Sequence, residues 1–386
     1  MKTVELSKSG ALRLRNSENQ LYPQDIEKKA SFVPGEWVVL FDIKNENKYT
    51  AYINTFVDTG PIIHLVCFGV VRDIKVYLEE KITQAIKLRA LFKNYKTNAR
   101  LVYGYQDGLP GLIIDGYANA IIIQITTAGM DKYRYEIERI VLENIDLPVI
   151  FLDNEQMRKR EILPMHHKNT FAQDLQIEEN DITYQLPQNY WQKIGYYYDH
   201  RENRKYLSQI IKSMNKEFKL GLDLFCYIGS WAQNMLQAGV LEVDLVDQAP
   251  MAEVIQKNSK DSIHFFHADC FTFLENKISE QKKYDVVVCD PPAFTKSLAK
   301  KMNALAGYQK LHNMIFKILN PYSLAVFASC THYVSEEEFE ETIIKAALKN
   351  GRRIQLLYSG IQGHDHPITS KKDQANYIKA LIYLVE

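Results

Sequence analysis

The fold of this chain is decided by the stretch Gly221-Leu-Asp-Leu-Phe-Cys-Tyr-Ile-Gly-Ser230. An apolar strand runs here into a loop that contains Gly229, and a helical pattern follows the loop. Glycine at such a turn lets the backbone approach a ligand closely, because it has no side chain. The spacing is not Gly-x-Gly-x-x-Gly, so the dinucleotide-binding fingerprint is absent. The stretch therefore predicts the first strand and the ligand loop of an α/β domain that lacks this fingerprint.

Strands and helices alternate from about residue 190 onward. The strand candidates are residues 220–225, 242–246, 263–267, 284–289, 323–329, 352–358 and 376–385. Helical segments separate the first six, whereas only irregular sequence precedes the last. This alternation predicts a parallel, doubly wound sheet, and the last strand makes the sheet mixed. The predicted fold class is α/β, with a Rossmann-like domain of seven strands.

Acidic residues accompany three successive strand candidates. Asp223 lies in the first, Asp247 ends the second 24 residues later (247 − 223), and Asp269 follows the third. Ligands bind beyond the carboxyl ends of such strands, where an acidic residue can accept from both ribose hydroxyls of a nucleoside. A single acidic residue at a strand end is usually a turn or a helix cap, and Asp269 alone fits that interpretation. Three in register favour a nucleoside site, in which Asp269 could meet an adenine amino group.

A thiol and a carboxylate end two further strand candidates. Cys330 follows one apolar run and Asp290 with two prolines follows another, and these two runs should form neighbouring parallel strands. A free cysteine beside a core strand is most often a small buried apolar residue. Cys330, however, lies in a loop before a helix that a capping box of Ser335 and Glu338 should begin. A helix N-terminus would favour the thiolate, so Cys330 is a candidate nucleophile and Asp290 a candidate partner for a proton or a base edge.

Length and composition permit two or three ordinary globular domains, with 386 residues of which 46% are hydrophobic. Five cysteines without Cys-x-x-Cys spacing indicate neither a disulfide framework nor a zinc site, so we expect a reducing cytoplasm. The pair of histidines in His364-Asp365-His366 is weak evidence for a metal, and none is expected. The first eight residues lack a signal-peptide core, and no stretch approaches the ~20 apolar residues that a membrane span requires.

The chain is predicted to contain three domains. Residues 1–75 carry short strand-like runs between turn residues, which is typical of a small β-barrel. Residues 76–187 begin with an amphipathic helix over about 77–94 and continue as mixed α/β sequence. Residues 188–386 hold the strand and helix alternation.

Basic residues form three groups although the formal net charge is zero. The groups are Lys87, Arg89, Lys93, Lys96 and Arg100; His200, Arg201, Arg204, Lys205 and Lys212; and Lys296, Lys300 and Lys301. Each could be a solvated helix face. Taken together near a proposed crevice, they suit an enzyme that grips a phosphate backbone locally.

Five segments closely resemble the family of bacterial and archaeal 23S ribosomal RNA 5-methylcytosine methyltransferases that includes RlmI. They are Trp191–Arg204, Asp223–Gly229, Asp290–Ser297, Ala328–Phe339 and Asp365–Pro367. The resemblance covers nearly the whole chain. It implies a PUA-like RNA-binding barrel over 1–75, a central α/β domain over 76–187 and a class I methyltransferase domain over 188–386, with a homodimer plausible.

The resemblance also implies S-adenosylmethionine as the cofactor and 23S ribosomal RNA as the partner. The implied cofactor-binding residues are Tyr197, Arg201, Asp223, Phe225, Tyr227, Gly229, Asp247, Gln248, Asp269, Cys270 and Asp290. Cys330 would add to carbon 6 of cytosine, which makes carbon 5 nucleophilic enough to accept a methyl group. Asp290 would support the base near its ring nitrogen.

Two other functions fit the sequence. Methylation of another base or atom would leave Cys330 dispensable. A binding protein with a purely structural cofactor pocket would hold RNA without any chemistry. The run of Asp223, Gly229, Asp247 and Asp290 favours an enzyme over the binding protein.

Overall fold

The computed structural model describes residues 1–27, 31–166, 171–193, 195–258, 262–295, 297–371, 373 and 375–386, without the side chains of Asn94, Gln192 and Lys193. Lys296 of the third basic group therefore lies outside the described residues. The chain divides into two compact units. Unit 1 comprises Met1–Ile177 and Pro187–Gly195, and unit 2 comprises Glu178–Leu186 and Tyr196–Glu386. Within the described ranges, no helix is both long and apolar enough to cross a membrane.

Unit 1 begins with a five-stranded sheet. Its elements are β1 (Lys2–Glu5), α1 (Lys8–Arg15), β2 (Gln20–Leu21), β3 (Glu36–Asp42), β4 (Asn47–Ile53) and β5 (Ile63–Phe68). The strand order is β1-β3-β4-β5-β2. The strands β3, β4 and β5 lie within a few residues of the strand-like runs that the sequence predicts at residues 36–41, 49–54 and 62–67. The short β1 and β2 were not predicted, because two to four residues carry too little periodicity, and the eight-residue helix α1 was not predicted either.

A four-stranded sheet with its helices completes most of unit 1. The elements are α2 (Ile74–Ala90), β6 (Ala99–Tyr103), β7 (Leu112–Gly116), β8 (Ile121–Ile125), α3 (Ala128–Asp131), α4 (Arg134–Asn144), β9 (Val149–Phe151) and α5 (Glu155–Arg160). The strand order is β6-β7-β8-β9. The amphipathic helix predicted over 77–94 is α2, which begins after the N-cap Asp73. Two further strands, β10 (Leu175–Glu179) and β11 (Ile182–Leu186), form a separate two-stranded sheet.

Unit 2 is built on a seven-stranded sheet. Its elements are α6 (Arg201–Ser213), β12 (Leu220–Leu224), α7 (Ser230–Ala238), β13 (Glu242–Asp247), α8 (Ala252–Asn258), β14 (Ile263–His267), α9 (Cys270–Ser279), β15 (Tyr284–Cys289), α10 (Lys301–Ile318), β16 (Leu319–Ser329), α11 (Glu336–Lys349), β17 (Ile354–Gly360) and β18 (Lys379–Val385). Each strand predicted after residue 190 is present, although β16 begins four residues earlier than expected. The predicted capping box of Ser335 and Glu338 begins α11.

The order of the sheet is β14-β13-β12-β15-β16-β18-β17. The strands from β12 to β16 pair in parallel, whereas β18 is antiparallel to both β16 and β17. The strand order reverses between β12 and β15, which is the switch point where open α/β sheets bind ligands. Apolar runs such as Tyr284–Cys289 are wholly buried, as expected for strands covered on both faces.

A chain of buried polar groups lies inside unit 1. Glu161 accepts hydrogen bonds from His64 Nε2 at 3.2 Å, Asn54 Nδ2 at 3.1 Å and Ala128 N at 3.1 Å. The other ring nitrogen of His64 lies 2.5 Å from the hydroxyl of Tyr105. Burial alone would raise the pKa of Glu161, but the bonds from His64, Asn54 and Ala128 bring it below its ordinary value. The carboxylate therefore stabilises unit 1 in its charged form.

We expect Glu161→Gln to reduce the unfolding free energy of unit 1 by about 1–3 kcal/mol at pH 7, because bonds to a charged acceptor are lost. A depressed folded pKa means that this contribution is complete above the ordinary value of 4.5 and is lost as the pH falls through the folded value. Urea unfolding at several pH values should therefore show the two proteins converging in acid. Glu155→Gln, at an exposed position of α5, is the control. A difference that stays constant from neutral pH into acid would contradict the expectation.

Candidate functional site

Four predicted residues meet at the carboxyl edge of the unit 2 sheet. Asp223 lies near the end of β12, Asp247 ends β13, Asp290 follows β15, and Cys330 follows β16. Because β15 and β16 pair in parallel, the thiol and the carboxylate follow neighbouring strands, as predicted. Both strands also lie on the same side of β12, beyond the switch point. The same edge of the sheet thus holds a possible nucleophile and a possible nucleoside site.

The loop after β12 has an unusual backbone. Phe225, Tyr227 and Gly229 all have positive φ angles, of 62°, 50° and 81°. A left-handed conformation is costly for residues other than glycine, and strain of this kind concentrates at ligand sites. A Cβ atom at Gly229 would lie 2.7 Å from Leu245, so both the conformation and the space require glycine. The loop then leads into α7, whose N-terminal amides lie at the sheet edge.

Asp223 is fully buried, and within the described part of the chain only one of its two side-chain oxygens accepts a hydrogen bond. Its Oδ2 accepts from Ala232 N at 3.1 Å, while its Oδ1 has no hydrogen-bond partner among the described residues. Burial raises the pKa of Asp223 well above its usual range, and the nearby carboxylates of Asp290 and Asp247 raise it further. A neutral carboxylic acid can donate a hydrogen bond. The side chain therefore offers an unused polar atom to a ligand.

Asp247 and Asp269 have local partners. Asp247 accepts from Ala249 N at 2.7 Å and from Tyr227 N at 2.9 Å, so it supports the strained loop. Asp269 is the N-cap of α9 and accepts from Thr272 N at 3.0 Å. The simpler interpretation of Asp269 as a cap is thus correct, although its exposed side chain keeps room for a second partner.

Gln248 and Cys270 contribute differently from the acidic residues. The backbone carbonyl of Gln248 lies 2.9 Å from His267 Nε2. Cys270 is buried, and its thiol donates to Val246 O at 3.8 Å. Burial raises the pKa of Cys270 to about 12, so this thiol stays neutral. A contribution of either residue to ligand binding remains a prediction.

Tyr197 and Arg201 have opposite surroundings. The ring of Tyr197 is 38% exposed and lies 5.1 Å from that of Tyr227, nearly edge-on. Arg201 is buried, 3.4 Å from Glu179 and above the ring of Tyr198. An exposed aromatic pair can hold a flat ligand, whereas a buried guanidinium that faces a carboxylate is part of the framework. The prediction of direct ligand binding by Arg201 therefore gains no support from its position.

Asp290 has two neighbours that the sequence did not reveal. Trp231 donates from Nε1 to Asp290 Oδ2 at 3.1 Å, and His200 Nε2 lies 3.5 Å from Oδ1. Nε2 of His200 is buried and has no hydrogen-bond partner in the described part of the chain. The sequence had placed His200 only in a basic group, because its distance from Asp290 along the chain hid the contact. A half-exposed carboxylate held by an indole can still accept a proton or a base edge.

Cys330 is partly exposed, but its thiol is not activated by the loop. Burial raises the pKa of Cys330 to about 12, and Asp290 and Asp199 raise it through their negative charges. The prediction that the following helix would favour the thiolate is therefore wrong. The helix starts only at Glu336, six residues on, and the effect of a helix terminus fades within one turn.

Lys379, which was also missed, reaches the Cys330 loop from β18. Its Nζ donates to Thr331 O at 2.9 Å and to Tyr377 O at 3.3 Å. The nearby Asp199 accepts from the hydroxyl of Tyr377 at 2.8 Å, and Asp199 Oδ1 is buried without a hydrogen-bond partner among the described residues. One sequence signal was available, because Lys379 is the single charged residue in the apolar run 377–385.

The basic groups do not form the predicted phosphate grip as a whole. Arg89 pairs with Asp107 at 2.7 Å, Arg100 with Asp115 at 2.8 Å, and Arg204 with Glu179 at 2.5 Å. These guanidiniums are largely buried and serve the fold. The exposed members of the groups, which remain available to a polyanion, are Lys87, Lys93, Lys96, Lys212 and Lys300. Across the described ranges, no group of three or more side chains is placed to hold a metal ion.

We expect alkylation of Cys330 by iodoacetamide to be slow at pH 8. With a raised pKa, the reactive thiolate is rare there, and its fraction increases about tenfold for each pH unit up to the pKa of about 12. Mass spectrometry of the Cys330 peptide between pH 7 and 10 would measure the rate. A plateau below pH 9 would show an activated thiol and contradict the expectation.

The chain was compared with known proteins. No family model matches it. Ribosomal RNA large subunit methyltransferase I of Shewanella frigidimarina is 30% identical over 298 residues, 74% of each chain, and that of Pseudoalteromonas atlantica is 29% identical over 306 residues, also 74% of each.

Two solved structures share the fold over the full length of both chains. One is assigned as a SAM-dependent methyltransferase from Streptococcus mutans, with a TM-score of 0.77 and 18% identity. The other is assigned as a methyltransferase and was solved with SAH, with a TM-score of 0.79 and 17% identity. The prediction of a Rossmann-like methyltransferase fold is therefore confirmed. The sequence relatives also confirm the predicted family: the chain belongs to the ribosomal RNA large subunit methyltransferase I family.

Proposed function

We propose that this protein transfers a methyl group from S-adenosylmethionine to carbon 5 of a cytosine in 23S ribosomal RNA, with Cys330 as a covalent nucleophile. The observation that carries the proposal is the position of Cys330 and Asp290 after adjacent parallel strands, at the edge that also holds Asp223 and Asp247. The relatives are named for methylation of large-subunit ribosomal RNA. Membership of this family supports the methylation of ribosomal RNA, and the choice of cytosine carbon 5 as the methylated atom is the part that we propose.

The residues at the edge fit S-adenosylmethionine. The unpartnered Oδ1 of Asp223 and the close approach allowed by Gly229 suit the amino acid part of such a molecule. Asp247 at the end of the second strand suits its ribose, and the exposed cap Asp269 suits its adenine. Tyr197 and Tyr227 present an aromatic pair beside them. When bound, this cofactor supplies a methyl group that is ready to react with a carbon nucleophile.

Cys330 makes carbon 5 reactive. Its sulfur gives an electron pair to carbon 6, and the π pair of the 5,6 double bond moves toward carbon 5. Carbon 5 would then bond to the methyl carbon as the bond between that carbon and the sulfonium sulfur breaks with its electrons on the sulfonium sulfur. A base next removes the carbon 5 proton, whose bonding pair restores the double bond. The bond between carbon 6 and sulfur breaks with its electrons on sulfur. The thiolate is regenerated, and the net reaction releases one proton.

Asp290 would bind the base during these steps. One of its oxygens is held by Trp231, so the carboxylate has a fixed orientation, and the side chain remains 22% exposed. A carboxylate near a ring nitrogen can stabilise a proton there as electrons move out of the double bond. The target base must leave its stack to reach such an edge, as in other enzymes that modify bases.

The domain assignment is part of the proposal. We assign residues 1–75 to a PUA-like RNA-binding barrel, 76–187 to a central α/β domain and 188–386 to the methyltransferase domain. The five-stranded sheet β1-β3-β4-β5-β2 and the four-stranded sheet that follows support the first boundary. A homodimer and a cytoplasmic location stay predictions.

Replacement of the nucleophile tests the mechanism. We expect Cys330→Ala to reduce methyl transfer to ribosomal RNA by at least about a thousandfold, while cofactor binding measured by calorimetry is retained. Cys67→Ala, a partly exposed cysteine of unit 1, is the matched control and should be active. Full activity of Cys330→Ala would instead favour methylation of another atom without a thiol adduct.

Mapping of the modified base tests the substrate. We expect one cytosine of 23S ribosomal RNA to lose its 5-methyl mark in cells that lack the gene. Nucleotide-resolution sequencing of 5-methylcytosine would detect the loss, and the purified enzyme should restore the mark. An unchanged set of 5-methylcytosines would move the search to other bases.

A further inference from the structure

Lys379 is a buried cation in an apolar strand. Lys379 is 7% exposed, and the neighbouring residues Ile378, Ala380 and Leu381 are 2% exposed or less. Its ammonium group donates hydrogen bonds to two backbone carbonyls, those of Thr331 and Tyr377. Lysine is almost never buried in this way unless it is paired.

Among the described residues, no carboxylate forms an ion pair with Lys379 within 4.0 Å. Removing an ammonium group from water costs several kcal/mol, and carbonyl oxygens recover only part of that cost. Burial lowers the pKa of Lys379, while Cys330 in its thiolate form and the carboxylate of Glu336 act in the opposite direction. A buried titratable group that interacts with a possible nucleophile, as Lys379 does with Cys330, is a candidate for a functional role.

The sheet register places this cation beside the candidate nucleophile. Lys379 lies opposite Ser329 in the antiparallel pair of β16 and β18. Its ammonium bonds to the carbonyl of Thr331, so it spans the loop from the residue before Cys330 to the residue after it. The pairing of β18 with β16 fixes the backbone of Lys379, and the hydrogen bond to Thr331 fixes its ammonium group. The position of the charge is therefore set by the fold.

We propose that Lys379 is a positioning residue that stabilises the negatively charged sulfur of Cys330, both before attack on the base and when the sulfur leaves. The proposal rests on the covalent role of Cys330 given above. It adds no bond-making step, because the ammonium keeps its three protons and the thiol proton passes to solvent.

The charges around Cys330 explain why such a cation is needed. Asp290 after β15 and Asp199 before α6 both disfavour the thiolate, and Lys379 on β18 favours it. Tyr308 on α10 also interacts electrostatically with this sulfur, but its own hydroxyl is neutral because burial raises its pKa to about 12. Lys379 thus opposes two carboxylates, of which Asp290 is the one proposed to bind the base at this edge.

A purely structural role for Lys379 would be to clamp the loop. Lys216 offers a matched control, because its Nζ donates to Tyr322 O at 2.9 Å and Pro321 O at 3.4 Å, at the other end of β16. Lys379→Gln removes the charge but keeps a hydrogen-bond donor, whereas Lys379→Met removes both. Lys379→Arg keeps the charge.

The test measures alkylation of Cys330 by iodoacetamide between pH 7 and 10 in the full chain, by mass spectrometry. We expect Lys379→Met and Lys379→Gln to slow alkylation at least about tenfold, since an opposite charge close by lowers a pKa by about 1–3 units. Lys379→Arg should stay within about threefold of the wild type, and Lys216→Met should be unchanged. If Lys379→Met does not fold, Lys379→Gln alone decides.

A wild-type alkylation rate in folded Lys379→Gln would overturn the proposal and leave only the loop clamp. The measurement uses neither RNA nor cofactor, so its outcome is independent of the methylation reaction. Full methyl transfer by Cys330→Ala would refute the covalent mechanism while leaving the electrostatic effect of Lys379 on the thiol intact. The two failures can therefore be told apart.

Discussion

Parallel pairing of the central strands is the constraint on which the rest of unit 2 depends. The strands β12 to β16 point the same way, and the central strands β12, β13 and β15 are almost wholly buried, so most of their side chains are apolar and the polar groups of the candidate site lie at or near the strand ends. Asp223, Asp247, Asp290 and Cys330 therefore collect at one edge. The polar side chains of the site therefore lie together because the carboxyl edge is where a buried sheet can accommodate them.

Crowding of these groups sets their protonation. Burial raises the pKa of Asp223, and the charges of the neighbouring Asp290 and Asp247 raise it further. The same negative surroundings work against the thiolate of Cys330. A site that binds a nucleoside through carboxylates and attacks through sulfur must therefore contain compensating positive charge, which helix termini alone do not supply here.

The strands of the seven-stranded sheet, the helices between its first six strands, the capping box of Ser335 and the neighbouring positions of Asp290 and Cys330 could be predicted, since they depend on local periodicity and on strand order. The roles of Trp231, His200 and Lys379 could not, because each contact joins segments far apart in the chain. The predicted basic groups failed for a related reason. A run of basic residues does not show that Arg89 or Arg204 is matched by a carboxylate elsewhere. Whether a charge serves a partner or the fold depends on tertiary contacts.

The final strand pair has a consequence for folding. Among the described strands, β17 hydrogen-bonds only to β18, while β18 bonds to both β17 and β16. The strand β17 therefore cannot join the sheet before β18, so pairing of β18 with β16 must precede or accompany the addition of β17. Until that pairing, the edge of β16 is open and the loop of Cys330 has no cation. In a chain halted at this stage, the other strands of the sheet could be paired while the Cys330 thiol still lacked the nearby charge of Lys379. The thiol would then reach its final reactivity only after most of the sheet had formed.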